Sequence, residues 1–189
     1  MGFKTSINAS VYYDNVRVPK EFRVAGPGAD AHFYYGAMTG TQWHSATMSL
    51  GIAQAAFNIA LEYTKERKSG GKPVREWSMV AGILADMAIQ IEMSKGAVYN
   101  LSWMQDHPEQ YGPPFSPAFI SKASATKIFA ADAAVWVANK AVELMGSNGI
   151  SPEYKMEKYL RDAKIPQLWL GGQQVSRYRV ARGYYDYVV

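Results

Sequence analysis

The chain has 189 residues, 48% of them hydrophobic and 19% charged, with a formal net charge of +4 and no cysteine. That length carries one domain with a sizeable core, and the composition is globular, not that of a disordered chain. The charge suits a polyanionic ligand but is too mild to argue for nucleic acid, and the missing cysteine excludes disulfides and a thiolate nucleophile.

A reducing, cytoplasmic location is compatible with that composition. No apolar run approaches the roughly 20 residues that a bilayer span needs, so no membrane span is expected.

Residues 1–33 read as an extended arm. From Ser6 to Pro19, β-branched and aromatic residues alternate in part, and Gly26-Pro27-Gly28 is a turn cluster. One or two strands alone are only marginally stable in water, so the arm needs cover from elsewhere.

Residues 34–189 read as a helical domain. A first helix over residues 34–67 repeats Ala46, Leu50, Ala53, Phe57, Ala60 and Thr64 at helical spacing, and Gly70-Gly71 stops it. A second, over residues 77–105, carries Trp77, Val80, Leu84, Met87, Ile91, Ser94, Val98 and Leu101 on one face. After a Pro-rich loop, Ser116 and Pro117 open a third helix that runs to Met145 with Phe119, Ala123, Thr126, Ala130, Ala133, Val137 and Leu144 inward. Ser151 reads as the cap of a short helix with Pro152 and Glu153 in its first turn, and Glu157 can pair with Arg161 four residues on. A last helix covers residues 174–185. The expected fold is all-α, an antiparallel helical bundle with a short N-terminal extended or β arm.

Several segments resemble one known family. Glu157-Lys-Tyr-Leu-Arg-Asp-Ala-Lys-Ile165, followed by Leu170-Gly-Gly-Gln-Gln174, is similar to the C-terminal end of acyl-CoA dehydrogenases. There an R-D-A-x-I segment leads into a turn written I-Y-E-G-T-S/N-Q-I-Q-R. Tyr13-Asp-Asn-Val-Arg-Val-Pro19 resembles the F-D-x-V-x-V-P stretch that leaves that family's middle β-domain. Arg67-Lys-Ser-Gly-Gly-Lys-Pro-Val74 resembles R-x-x-F-G-x-P-I, with Gly70 where an aromatic residue is usual. Ala141-Val-Glu-Leu-Met-Gly-Ser-Asn-Gly149 resembles A-V-Q-x-x-G-G-x-G, with Glu143 in place of the glutamine. Leu84-Ala-Asp-Met87 also matches and carries no chemistry.

The resemblance covers nearly the whole chain but only the last half of the family. It implies FAD as cofactor and an acyl-CoA thioester as substrate. Arg67 would meet the flavin pyrophosphate, Gly146 the flavin of a dimer partner near its adenosine end, and Gly171 and Gln174 the flavin at the catalytic turn. It further implies a homo- or hetero-oligomer, with a companion subunit supplying the N-terminal helical and β portions. From the residues alone, Arg67 is equally an ordinary helix-end cation and Gly146 a plain helix stop.

The departures bear on function. Leu170 falls on the catalytic glutamate and Gly172 on the flavin-binding threonine. Leucine has no proton acceptor, so it cannot remove an α-proton. Some family members carry that glutamate where this chain has Thr41, followed by Gln42 in place of an arginine. His44, one turn beyond Thr41, is a candidate replacement base because imidazole titrates near neutrality, although a lone helix histidine is more often structural or solvated. Asp30, Tyr34 and Tyr35 are further candidates. Three functions follow: a subunit of an FAD-dependent complex that dehydrogenates an acyl-CoA thioester, a non-catalytic partner that completes a flavin site, or a different flavin oxidase or hydroxylase reaction.

Overall fold

The computed structural model describes residues 1–114 and 116–185, without the side chains of Ala31, His32, Tyr35, Met38 and Thr39. The helices are α1 (Asp30–Gly40), α2 (Gln42–Glu66), α3 (Ser78–Asp106), α4 (Pro108–Tyr111), α5 (Pro117–Met145), α6 (Met156–Leu168) and α7 (Gly172–Arg182). Between α2 and α3, β1 (Lys68–Ser69) and β2 (Lys72–Pro73) form a small antiparallel hairpin.

Core contacts fix the helix directions. Leu101 and Met104, late in α3, pack with Phe119 and Ala123, early in α5. Leu84, Met87 and Ile91, early in α3, pack with Val137, Ala141 and Met145, late in α5, and with Ala56 and Ala60 of α2. So α2 and α5 run one way and α3 the other. The α6 helix returns along α2 and α5, completing an up-down-up-down bundle.

The central seam is made of small side chains. Ala46, Ser49, Ala53, Ala56 and Ala60 of α2, and Ala123, Ala130, Ala134, Ala138 and Ala141 of α5, are all at most 1% exposed. Small residues on both faces let the two axes approach closely. The buried hydroxyls of Ser49 and Thr64 are satisfied within α2, donating to the carbonyls of Ser45 at 2.7 Å and Ala60 at 2.8 Å.

The caps explain most boundaries. Ser116 Oγ accepts from the Phe119 amide at 3.3 Å with Pro117 at the first helical position, and α5 ends at Gly146 with φ of 58°. Four boundaries differ from expectation. The helix expected over residues 34–67 is two helices broken at Thr41, and α1 already begins at Asp30; Gly36 and Gly40 weaken the helix here. Trp77 is not on the inner face of α3: it precedes that helix and is 43% exposed. Ser151 accepts from the Glu153 amide at 3.4 Å but caps a separate 3-10 turn, Pro152–Tyr154. Lys155, with φ of 61°, then interrupts the chain before α6 starts. The last helix opens at Gly172, two residues early, and ends at Arg182, three residues short of the expected 185.

The arm carries a 3-10 turn at Lys20–Phe22 and passes into α1 at Asp30, and among the described residues its stretch 6–19 joins no sheet. Its start is fastened. The Phe3 amide donates to Asp162 Oδ1 at 2.7 Å, and a Cβ on Gly2 would lie 2.5 Å from the Arg161 carbonyl oxygen. Further along, Ile7, Val11, Tyr12, Tyr13, Val16 and Val18 are all exposed. Among the described residues, no helix is long and apolar enough to cross a membrane.

Candidate functional site

Between α6 and α7 the chain makes a tight turn. Pro166 lies in the last turn of α6, which ends two residues later. Leu170, Gly171 and Gly172 then adopt φ of 55°, 87° and 65°. The left-handed region suits the two glycines and is uncommon for leucine. Polar side chains from three helices hold the turn's carbonyls. Lys127 Nζ of α5 donates to the Trp169 oxygen at 2.9 Å, and Gln42 Nε2 of α2 donates to the Leu170 oxygen at 3.3 Å. Arg179 Nη1 of α7 also donates to the Leu170 oxygen, at 3.4 Å, and Ser176 Oγ donates to the Gly172 oxygen at 2.8 Å. Gln42, Lys127 and Ser176 are fully buried. Burial lowers the Lys127 amine to about 8, helped by the nearby Arg179 charge and opposed by Asp132.

Asp132 ties the surface of the same region. Its Oδ1 accepts from Gln167 Nε2 at 2.6 Å and Gln173 Nε2 at 2.5 Å, and Arg177 Nη1 donates to Gln173 Oε1 at 2.8 Å. Gln173 is therefore engaged with α5, whereas Gln174 is exposed at the start of α7.

At the other end of α2, a cavity of about 460 Å³ opens between the hairpin and the end of α5. Arg67, Tyr63, Val74, Glu143 and Gly146 line it. Asn148 Nδ2 donates to the Tyr63 hydroxyl at 3.0 Å, fastening the Gly146–Ile150 turn to α2. A Cβ on Gly149 would lie 2.5 Å from the Val142 carbonyl oxygen, so this turn can pack on α5 only with glycine there. In the hairpin, the Trp77 ring occupies the space that a side chain on Gly70 would need, 2.8 Å from an added Cβ. Its Nε1 donates to the Ser69 oxygen at 3.2 Å, and Lys72 Nζ sits 4.2 Å from a Trp77 ring centroid. A side chain at position 70 would therefore collide with the Trp77 ring.

Glu143 pairs along its own helix, accepting from Lys140 Nζ at 2.6 Å and from Asn139 Nδ2 at 2.7 Å. The Lys140 ammonium, with Asn139 adding to it, holds this carboxyl below the usual carboxylate range, against a smaller desolvation effect.

The sequence candidates therefore fall into two groups. Arg67 and Gly146 share one cavity. Leu170 and Gly171 form the α6–α7 turn, with Gln174 just beyond it at the start of α7. The 25 residues of α2 separate the groups by about 37 Å at 1.5 Å per residue. His44 is exposed, its ring stacked on Trp43 with centroids 3.9 Å apart. Leu170 is 5% exposed. Asp30 pairs with Arg23, Tyr34 is exposed, and the Tyr35 side chain lies outside the described residues. Among the described residues, no cluster of three metal-ligating side chains occurs. Sequence inspection missed Lys127 and Ser176 and noted Gln42 only as a replaced arginine. The available signal was position: Lys127 follows Ala123 by four and precedes Ala130 by three, on the inward stripe.

The described residues thus form an up-down helical bundle with a glycine turn between its last two helices. Residues 34–185 match the family model described as acyl-CoA dehydrogenase, C-terminal domain. A probable acyl-CoA dehydrogenase of Bacillus subtilis (strain 168) is 31% identical over 182 residues, covering 96% of this chain and 46% of that protein. A cyclohex-1-ene-1-carbonyl-CoA dehydrogenase of Syntrophus aciditrophicus (strain SB) is 30% identical over 177 residues, covering 94% and 41%. The solved structure of butyryl-CoA dehydrogenase from Megasphaera elsdenii superposes with a TM-score of 0.81 at 32% identity, covering 89% of this chain and 42% of that one. The chain belongs to the acyl-CoA dehydrogenase family and corresponds to its C-terminal helical domain. It spans about half the length of the curated relatives it matches.

Proposed function

We propose that this chain is the helical part of an FAD-dependent, acyl-CoA dehydrogenase-like complex acting on an acyl-CoA thioester. The observation that carries the proposal is the separation of the two candidate groups by the length of α2. One dinucleotide does not reach both ends. Each chain therefore contributes Arg67 and Gly146 to one flavin site and Gly171 and Gln174 to another, which requires an oligomer. The exposed apolar arm supports a companion that supplies the N-terminal helical and β portions, since such a surface needs cover. The relatives named for thioester substrates support the substrate class. The lack of cysteine fits a cytoplasmic location.

The residues present fit the dinucleotide. In the cavity, the exposed Arg67 guanidinium is free to fork onto a phosphate, and nothing lies within 4 Å of a Cβ placed on Gly146, so the backbone there is open to a ligand. At the turn, Gly171 permits close backbone approach and the exposed Gln174 amide offers donors. When bound, FAD supplies the two-electron acceptor for α,β-dehydrogenation. Leu170 offers no acceptor for the α-proton, so the base comes from the companion chain or from another residue of this one, with His44 the candidate.

The buried, apolar Leu170 also favours a second reading, a non-catalytic partner that completes the flavin site of an active subunit. One experiment separates the two. The chain is purified with a companion that carries only the N-terminal portions and no helical domain of its own, and flavin absorbance at about 450 nm is followed as acyl-CoA esters are added. Bleaching supports dehydrogenation. Bound flavin with no bleaching by any thioester supports the non-catalytic partner, and a colourless complex removes both. Arg67→Ala should lower flavin occupancy in either case.

A further inference from the structure

Lys127 is a fully buried cation on the alanine face of α5. Its amine meets two neutral oxygens, the Trp169 carbonyl at 2.9 Å and Ser176 Oγ at 3.5 Å. The carboxylate that favours its charge, Asp132, already accepts from Gln167 and Gln173. Arg179 of α7 opposes that charge. From α2, Gln42 reaches the same cluster through Ser176, 3.5 Å away, and the α6–α7 turn contributes backbone carbonyls.

Burying an ammonium without a close carboxylate costs stability, and an apolar side chain of the same length fills the space without that cost. What the amine adds is a hydrogen bond to the turn. That turn needs one. Its three successive left-handed residues include Leu170, and such a conformation persists only when the surroundings over-determine it.

We propose that Lys127 is a positioning residue whose buried amine fixes the Trp169 carbonyl and thereby the conformation of the 169–172 turn that presents Gly171 and leads into Gln174. The proposed function enters only through what the turn presents; the anchoring itself needs no flavin.

The test uses the whole chain and its Lys127→Met variant. Amide hydrogen exchange is measured over residues 170–176, with α3 as internal reference, alongside urea unfolding. A positioning role gives exchange about tenfold faster over 170–176, unchanged exchange in α3, and a urea midpoint equal to or above that of the wild type. Unchanged exchange in the turn overturns the proposal, as does faster exchange that α3 shares with a lowered midpoint. Should the variant not fold, the wild type decides: its midpoint rises between about pH 7.5 and pH 9.5 if the amine is buried in the folded state. A midpoint that is flat or falls over that interval overturns the proposal. No flavin enters these measurements, so they can fail while the proposed function stands, and the reverse.

Discussion

Gln42 and Leu170, 128 positions apart in the chain, meet through the Gln42 Nε2 donor and the Leu170 carbonyl at 3.3 Å. Gln42 opens α2 and is fully buried, and its Oε1 accepts from Ser176 at 3.5 Å. The amide thus joins the start of α2 to both the turn and α7. Replacing Gln42 with Ala removes a donor to a buried carbonyl and one acceptor for Ser176. The expected cost is about 1–3 kcal/mol, read from urea unfolding. A loss of only a few tenths would mean that Arg179 and Lys127 hold the turn without it.

Leu170→Glu tests whether a missing base is what this turn lacks. The backbone at position 170 is already left-handed, so the substitution adds no new constraint to it. The new carboxyl replaces a side chain that is 5% exposed, so a stability loss of about 1–3 kcal/mol is expected. Lys127 and Arg179, whose donors reach the Trp169 and Leu170 carbonyls, favour its ionised form. If the base is what the turn lacks, thioester-dependent bleaching of the flavin-loaded complex becomes at least about tenfold faster than with the parent chain. Equal rates would place the proton acceptor wholly elsewhere.

The bundle was legible because its signal is periodic. Leu84, Met87, Ile91, Ser94, Val98 and Leu101 were expected inward along α3, and all six are buried. The Glu157–Arg161 pair was legible from spacing alone, and Arg161 Nε donates to Glu157 Oε2 at 2.5 Å. The break at Thr41 was not legible from periodicity, because the apolar repeat begins only at Ala46; Gly36 and Gly40 just before the break were the signal available. Trp77 was misassigned because its ring serves the hairpin eight residues back, a contact that helical periodicity does not encode. Lys127 was invisible for a related reason: a lysine on an apolar stripe becomes meaningful only once the 169–172 turn is seen to lie over it.

Stability should depend on alkaline pH through Lys127. Its amine is lowered from 10.5 to about 8 in the folded chain, so the unfolded chain binds more protons between those values. Stability is therefore depressed below about pH 8, rises as pH increases, and gains no more above about 10.5. The gain is on the order of 3 kcal/mol at most. Urea midpoints across this range should climb for the parent chain and flatten for Lys127→Met. A parallel climb in both would assign the dependence to other groups.

The alanine seam between α2 and α5 predicts sensitivity to added volume. Ala134 is fully buried in the cluster that joins these helices to α3. Ala134→Leu inserts methylenes where both faces are small, so the helices must move apart or adopt strained rotamers, at about 1–3 kcal/mol or more. Lys65, Glu62 and Glu66 stand outside that seam, and exchanging Glu66 for Gln should change stability by under about 0.5 kcal/mol. Thermal unfolding of the two variants side by side separates packing from a general effect of substitution in the bundle.

Glu143 sets up the sharpest test of the cavity at the Arg67 end. Its carboxyl is held below the usual range chiefly by the Lys140 ammonium, so it is ionised at neutral pH beside a cavity proposed to take a pyrophosphate. Two like charges near one another repel, while Arg67 attracts the same phosphates. Glu143→Gln removes the charge, keeps an oxygen for Asn139 to donate to, and adds an amide donor. Flavin should then bind several-fold more tightly to the complex at low salt, with a smaller gain at high salt, where the repulsion is already screened. Equilibrium titration by flavin fluorescence at two ionic strengths measures both. In Arg67→Ala the same substitution should still improve binding, since the repulsion does not depend on the guanidinium. No change in either background would show that the dinucleotide does not pass this wall of the cavity.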